Sequence, residues 1–251
     1  ELVNGERRRR RLDDRTAFAR QNPDGYLFCF RGGLRSEIVQ QWLGEAGCAY
    51  PRVVGGYKAM RRFLIETLNE QVECCEFWLI AGATGSGKTR LLQQLPRAVD
   101  LEGLAKHRGS AFGSLLEPQP AQIDFENQLA LELLRLAPQA GPALLEDEGR
   151  LIGRLYIPDE LRQRMEQAPL LVLDYPVEDR VQVVLEDYII DLGERYRRAR
   201  GEHGFAAHWE KLRSDLFRTR KRLGLERHEQ ISRQLDLAFQ QQQAGDGIEG
   251  H

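Results

Sequence analysis

Gly82-Ala83-Thr84-Gly85-Ser86-Gly87-Lys88-Thr89 fits G-x-x-x-x-G-K-[ST] at every fixed position. Its surroundings fit as well. Phe77 to Ala81 reads as a buried strand, and Arg90 to Leu95 as the start of a helix. In that strand–loop–helix setting the glycines let backbone N–H groups converge on a phosphate chain, and the helix N-terminus adds a favourable dipole. Lys88 places a cation on the outer phosphates, and the Thr89 hydroxyl is suited to Mg²⁺. Gly82, Gly85, Ser86, Gly87, Lys88 and Thr89 are therefore the expected phosphate-binding residues, and the ligand is a di- or triphosphate.

Working outward, two further strand candidates follow. Ala143-Leu144-Leu145 runs into Glu146-Asp147-Glu148, and Pro169 to Leu173 ends at Asp174. An acidic residue at a strand's C-terminal end is where a phosphate-loop enzyme positions a metal or a water. Asp147 or Glu148 is the expected residue, with Asp174 its rival. Alternating strands and helices predict an α/β fold with a mostly parallel sheet. Residues 99–113 read as a polar, glycine-punctuated loop in which His107 and Arg108 are candidates for phosphate and Asp100 or Glu102 for a metal or ribose. An apolar-periodic helix is expected up to Leu136.

Ahead of this domain, Glu1 to Asn22 reads as a charged helix and Tyr26-Leu27-Phe28 as a short strand ending at Cys29. Phe30-Arg31-Gly32-Gly33-Leu34-Arg35-Ser36 follows, then an amphipathic helix over 37–46. A thiolate in that place gains from loop N–H groups, a helix N-terminus and the charges of Arg31 and Arg35, so Cys29, Arg31 and Arg35 are the candidate catalytic group. Cys48, Cys74 and Cys75 lack such surroundings and read as small buried residues. Lys58 to Glu70 reads as a helix and Gln71 to Glu76 as a polar approach to the phosphate-loop strand.

The expected organisation is residues 1–71, 72–192 as the phosphate-loop domain, and 193–251 as a basic helical region with a disordered tail from Gln240. From Arg195 to Arg227 eleven Lys/Arg face four Asp/Glu, although the whole chain of 251 residues carries a net charge of −2. Tyr196, Phe205, Trp209 and Phe217 among those arginines offer base stacking for RNA, or else the core of a solvated helical bundle. No apolar run approaches the ~20 residues that span a membrane. Cysteine usage without C-x-x-C spacing indicates neither zinc nor a disulfide framework, and a cytoplasmic location follows as the default.

Cys-x-x-Gly-x-x-Arg-Ser from Cys29, with Arg52-Val53-Val54-Gly55-Gly56-Tyr57 after the helix, resembles the C-terminal half of a rhodanese domain. The preceding half is absent and the chain opens at Glu1 rather than Met, so a truncated N-terminus is expected. Taken with the phosphate loop, Asp100-Leu101-Glu102-Gly103, His107-Arg108-Gly109-Ser110, Gln119-Pro120-x-Gln122, Phe125-Glu126-Asn127 and Glu146-Asp147-Glu148, the whole set resembles the tRNA 2-selenouridine synthases. Gly149 stands where that family usually has Ser.

The resemblance implies a two-step reaction on the wobble uridine of tRNA carrying 2-thiouridine. A geranyl group from geranyl diphosphate alkylates the sulfur, and selenium from selenophosphate then displaces the S-geranyl group. It implies Cys29 as the cysteine that carries or delivers selenium, the phosphate loop with Mg²⁺ as the seat of the diphosphate, and tRNA and a selenophosphate-producing enzyme as partners. Cys29 and the phosphate loop alone also fit a rhodanese-type sulfurtransferase coupled to a P-loop ATPase, or a phosphate-loop binding module with an inert first domain.

Overall fold

A computed structural model describes residues 2–137 and 140–243, and the chain divides into two compact units, Glu1–Glu70 and Gln71–His251. The first unit holds helices α1 (Leu2–Gln21) and α2 (Leu34–Glu45) and most of α3 (Gly56–Cys74). Its small core gathers Ala19 of α1, Leu43 of α2 and Tyr50, with Leu12, Leu27, Val39 and Cys48 packed against them. The Tyr50 hydroxyl donates to the Asn22 carbonyl at 2.6 Å, fixing the turn after α1. The strand expected over Tyr26–Phe28 is reduced to one parallel bridge, Leu27 to Arg52. Only Leu27 turns inward, while Tyr26 and Phe28 stay exposed, so a longer ladder has no apolar face to bury.

The second unit is built on a four-stranded parallel sheet of β1 (Phe77–Gly82), β2 (Ala98–Val99), β3 (Ala143–Glu146) and β6 (Leu170–Leu173), in the order β2-β3-β1-β6. Mixed α/β architecture with a parallel sheet is thus observed. Strand β1 lies inside the sheet, which explains its continuous apolar run. The remaining strands, β4 (Leu151–Ile152) and β5 (Leu155–Tyr156), form a separate antiparallel pair. Helix α4 (Lys88–Leu92) follows the phosphate loop and α5 (Leu101–Ala105) follows β2. Helix α6 (Gln122–Leu136) buries Phe125, Leu129, Ala130, Leu133 and Leu136 on one face, the 3.6-residue stripe that its sequence carries. Helix α7 (Asp159–Met165) leads to β6.

After β6 the chain is helical. Helix α8 (Val177–Val184) runs into a π-helical segment, Leu185–Asp191, and then into α9 (Leu192–Arg200), α10 (Gly204–Leu223) and α11 (Leu225–Gln243). Three expectations need correction here. Residues 99–113 are not loop throughout, because Asp100 caps α5 by accepting from the Gly103 N–H at 2.6 Å while Leu101 and Ala105 are fully buried. Gln71 to Cys74 is helical, as the last turn of α3. Gln240 to Gln243 is also helical, continuing α11; the rest of the expected tail lies outside the described residues.

The aromatic residues of this region resolve by burial. Tyr196 stacks on His208, and Trp209 and Phe205 both stack on Phe239, so these three belong to the helical core. Phe217 alone stays exposed, with the Arg220 guanidinium 3.8 Å from its ring centroid. Among the described residues no helix is long and apolar enough to cross a membrane.

Candidate functional site

The phosphate loop, the segment from Asp100 to Ser110, the acidic residues after β3 and the π-helical segment enclose one cavity of about 770 Å³. Gly85 and Gly87 adopt φ of +83° and +77°, the left-handed region glycine enters without strain. A Cβ on Gly85 would come within 2.5 Å of the Arg180 carbonyl oxygen of α8. The Lys88 ammonium donates to the Gly82 carbonyl at 2.7 Å across the loop, and the Ser86 hydroxyl is buried without a partner. All six expected phosphate-loop residues line the cavity, as do His107, Arg108, Asp147 and Glu148.

Behind the loop sits a carboxylate group that sequence reasoning placed only in part. The Thr89 hydroxyl lies 3.1 Å from Glu146 Oε1 and 3.3 Å from Glu102 Oε2, and the Glu102 N–H donates to Glu146 Oε2 at 3.0 Å. Glu146 is fully buried. Burial, reinforced by Asp100 and Glu102, pushes its carboxyl up to about 8. Burial and the adjacent Glu148 push Glu102 up to about 8 as well, and Glu148 is raised chiefly by burial. Both expected residues, Asp147 and Glu148, reach the cavity, but the one that meets Thr89 is Glu146. Strand register explains this: Glu146 is still in β3, paired with Ile80, whereas Asp147 has left the strand. Gly109, at φ +45°, lets the chain pass against Glu102 and Glu148, whose carboxylates a Cβ there would strike.

The opposite wall carries Arg108, 3.6 Å from Asp187 and 5.2 Å from the centre of the Tyr188 ring. Arg90 binds Asp187 and Glu186, each at 2.9 Å, and the hydroxyls of Ser110 and Tyr188 meet at 2.9 Å. His107 is half-buried, and that burial, aided by Lys211 and Arg218, holds its imidazole below the ordinary range and so neutral at pH 7. The π-helix contributes Asp187, Tyr188 and Asp191 to one wall, and α9 adds Arg195 at the rim. Such wide turns recur at functional sites.

Hard oxygen donors beside a phosphate loop suit Mg²⁺, which takes one or two protein ligands and completes its shell with phosphate and water. The Thr89 hydroxyl and the side chains of Asp147 and Glu148, all lining the cavity, have that chemistry. Among the described residues no group of three or more His, Cys, Asp or Glu side chains is arranged to hold a metal.

In the first unit, Cys29 leads into α2 through a loop that packs on the start of α3. Its carbonyl accepts from the Tyr57 N–H at 2.8 Å. The thiol is lowered from 9.0 to about 7, first by the Ser36 N–H in the opening turn of α2, then by the Ser36 hydroxyl and the N–H groups of Arg31 and Gly33. Backbone donors, not the Arg31 and Arg35 charges, thus set its acidity; both arginines are exposed. Ser36, buried with its hydroxyl donating to Gly33 at 2.8 Å, is the contributor that reasoning from charge passed over.

The sequence model of the tRNA 2-selenouridine synthase AAA domain matches residues 75–251. Proteins named tRNA 2-selenouridine synthase are similar along the chain. That of Marinobacter nauticus is 49% identical over all of this chain and 69% of its own length. That of Pseudomonas putida is 48% identical with the same coverage, and that of Hahella chejuensis 50% identical over 98% of this chain and 65% of its own. No solved structure matches. A family match over most of the chain and close relatives across it leave one conclusion: the chain belongs to the tRNA 2-selenouridine synthase family of enzymes.

Proposed function

We propose that this protein is a tRNA-modifying transferase that replaces sulfur by selenium in wobble 2-thiouridine through an S-geranyl intermediate. The observation that carries the reading is the pairing, in one chain of this family, of a phosphate-loop cavity with a cysteine whose thiol is lowered to about 7. Geranyl diphosphate and selenophosphate are the donors, the latter supplied by a selenophosphate-producing enzyme. The first unit serves as a partial rhodanese-like module, and the exposed Arg197, Arg198, Lys221 and Arg222 of α9 and α10 serve the tRNA backbone.

In the first step the diphosphate lies in the phosphate loop, where its N–H groups and Lys88 stabilise the charge that builds as pyrophosphate leaves and sulfur bonds to the geranyl carbon. Mg²⁺, held by Thr89 with Asp147 or Glu148, would supply a Lewis acid for the same developing charge. S-alkylation makes ring carbon C2 more electrophilic and turns sulfur into a group that departs as a thiol. In the second step the selenium of selenophosphate bonds to C2, the S-geranyl group leaves as the thiol and water takes the phosphoryl group as phosphate, with Cys29 delivering the selenium donor; near neutral pH about half of a thiol of that acidity is thiolate.

Incubation with 2-thiouridine-containing tRNA, geranyl diphosphate and selenophosphate, followed by nucleoside mass spectrometry, tests the reading. A selenium-containing wobble nucleoside is expected, absent in Cys29→Ser, with the S-geranyl product absent in Lys88→Ala. Unmodified tRNA from folded protein would sink it.

One observation favours a second reading, a sulfurtransferase coupled to a P-loop ATPase. Among the described residues the only aliphatic side chains lining the cavity are Leu115 and Val183, a polar lining that suits a nucleotide better than a prenyl chain. tRNA-stimulated ATP turnover that is lost in Lys88→Ala, without geranyl transfer, would establish it.

A further inference from the structure

Beside Cys29 the first unit exposes an aromatic surface that its own packing does not use. Phe30 is 72% exposed. One face of its ring lies on Tyr57, with centroids 5.5 Å apart and planes 4° from parallel, which leaves the other face to solvent. The spacing is that of an offset stack already in contact, so no ring can enter between the two. The pair is tied to the cysteine, since Phe30 is its neighbour in sequence and the Tyr57 N–H donates to the Cys29 carbonyl. Gly55 and Gly56, at φ of +80° and +61°, turn the chain so that Tyr57 reaches this position; a Cβ on Gly56 would lie 2.6 Å from the Cys29 carbonyl oxygen.

The charges around the pair are equally specific. Arg31 and Arg35 are exposed and meet no carboxylate among the described residues, while Arg52 is spent on Gln40 and Glu37. A flat apolar face with exposed cations one and five residues further along the chain suits a ligand that is aromatic and anionic at once, which is the description of a nucleotide.

We infer that Phe30, braced by Tyr57, is a stacking platform for the target nucleobase, with Arg31 and Arg35 receiving the flanking phosphates. The inference rests on the proposed function and deepens it, because it makes the base come to Cys29 rather than the selenium travel away from it. Phe30 is then a positioning residue: it sets the ring beside the thiol and takes no part in bond making.

The test is a binding cycle with the full chain and no donors. Two anticodon stem-loop RNAs are compared, one with 2-thiouridine at the wobble position and one abasic there, against wild type, Phe30→Leu and Phe30→Trp. Stacking of one base supports a preference of about tenfold for the thiouridine RNA in wild type. Phe30→Trp keeps that preference, and Phe30→Leu, which keeps apolar bulk without a π face, brings the two RNAs to equal affinity. The iodoacetamide reaction of Cys29 stays within about twofold in both variants, showing an intact loop. A preference undiminished in Phe30→Leu, or no preference in wild type, overturns the platform. Because no donor is present, failure of selenium transfer bears on the proposed chemistry alone.

Discussion

Thr89 Oγ1 stands 3.1 Å from Glu146 Oε1, joining the last residue of the phosphate loop to a fully buried carboxyl at the end of β3. A hydroxyl and a backbone N–H thus both donate to one buried carboxyl. Gln at position 146 can accept from the Glu102 N–H through its amide oxygen and donate its NH2 to the Thr89 hydroxyl, so Glu146→Gln is expected to change stability by less than about 1 kcal/mol. Glu146→Ala strands the Glu102 N–H, while the Thr89 hydroxyl keeps Glu102 Oε2, and is expected to lose about 1–3 kcal/mol. Urea unfolding of the two variants distinguishes them, and equal losses would refute the network.

The same carboxyls make stability depend on pH. Glu102 and Glu146 are raised from 4.5 to about 8 in the folded protein, so across that interval the native state holds protons that the unfolded chain has released. Their contribution is complete below about pH 4.5 and disappears as pH rises through about 8, with a slope of up to about 1.4 kcal/mol per pH unit for each proton. Melting in a chelating buffer should therefore shift to lower temperature between pH 5 and 8. Glu146→Gln should flatten the profile; an unchanged slope would contradict the assignment.

Cys29 should alkylate with a midpoint near pH 7, well below an ordinary thiol at 9.0. Ser36→Ala removes the hydroxyl but leaves the N–H, so the midpoint should rise only part of the way to 9.0. Arg31→Ala and Arg35→Ala should leave it within a few tenths of a unit. Rates of iodoacetamide reaction against pH decide the matter, and a larger effect of the arginines would restore the charge explanation.

Gly85→Ala places a methyl group 2.5 Å from the Arg180 carbonyl oxygen, at a backbone conformation of φ +83°. Backbone on both sides leaves little room to yield, and strain of about 1–3 kcal/mol is expected. Pyrophosphate binding by calorimetry should fall at least about tenfold while the far-ultraviolet circular dichroism spectrum is retained. Binding equal to wild type would show that α8 can move aside.

What the sequence disclosed, it disclosed locally. The phosphate loop is eight consecutive residues between a strand and a helix, and their spacing alone places them. The acidic triplet was equally visible, but that Glu146 turns to Thr89 while Asp147 and Glu148 line the cavity depends on where β3 ends against β1, a long-range fact. Glu102 needed the cap at Asp100, which converts an apparent loop into α5 and turns the side chain toward Thr89. Tyr196 and Trp209 looked like RNA-stacking residues because they sit among arginines; only the packing of α9, α10 and α11 shows that they face inward. The acidity of Cys29 was anticipated and its cause was not, since backbone N–H groups leave no trace in a side-chain alphabet.

The π-helical segment Leu185–Asp191 has a consequence for how this chain can vary. Compared with the α-helices on either side, its i→i+5 pattern accommodates an additional residue. In an α-helix each residue turns about 100°. Deleting one position there would let the segment close into ordinary helix with the helices on either side nearly in phase, whereas a deletion within α9 would rotate the residues after it by about that angle relative to the cavity. Substitutions that preserve length leave that phase intact. Over these seven residues the wide turn takes up the extra position, and that is what keeps the cavity wall and the arginine-rich helices in step.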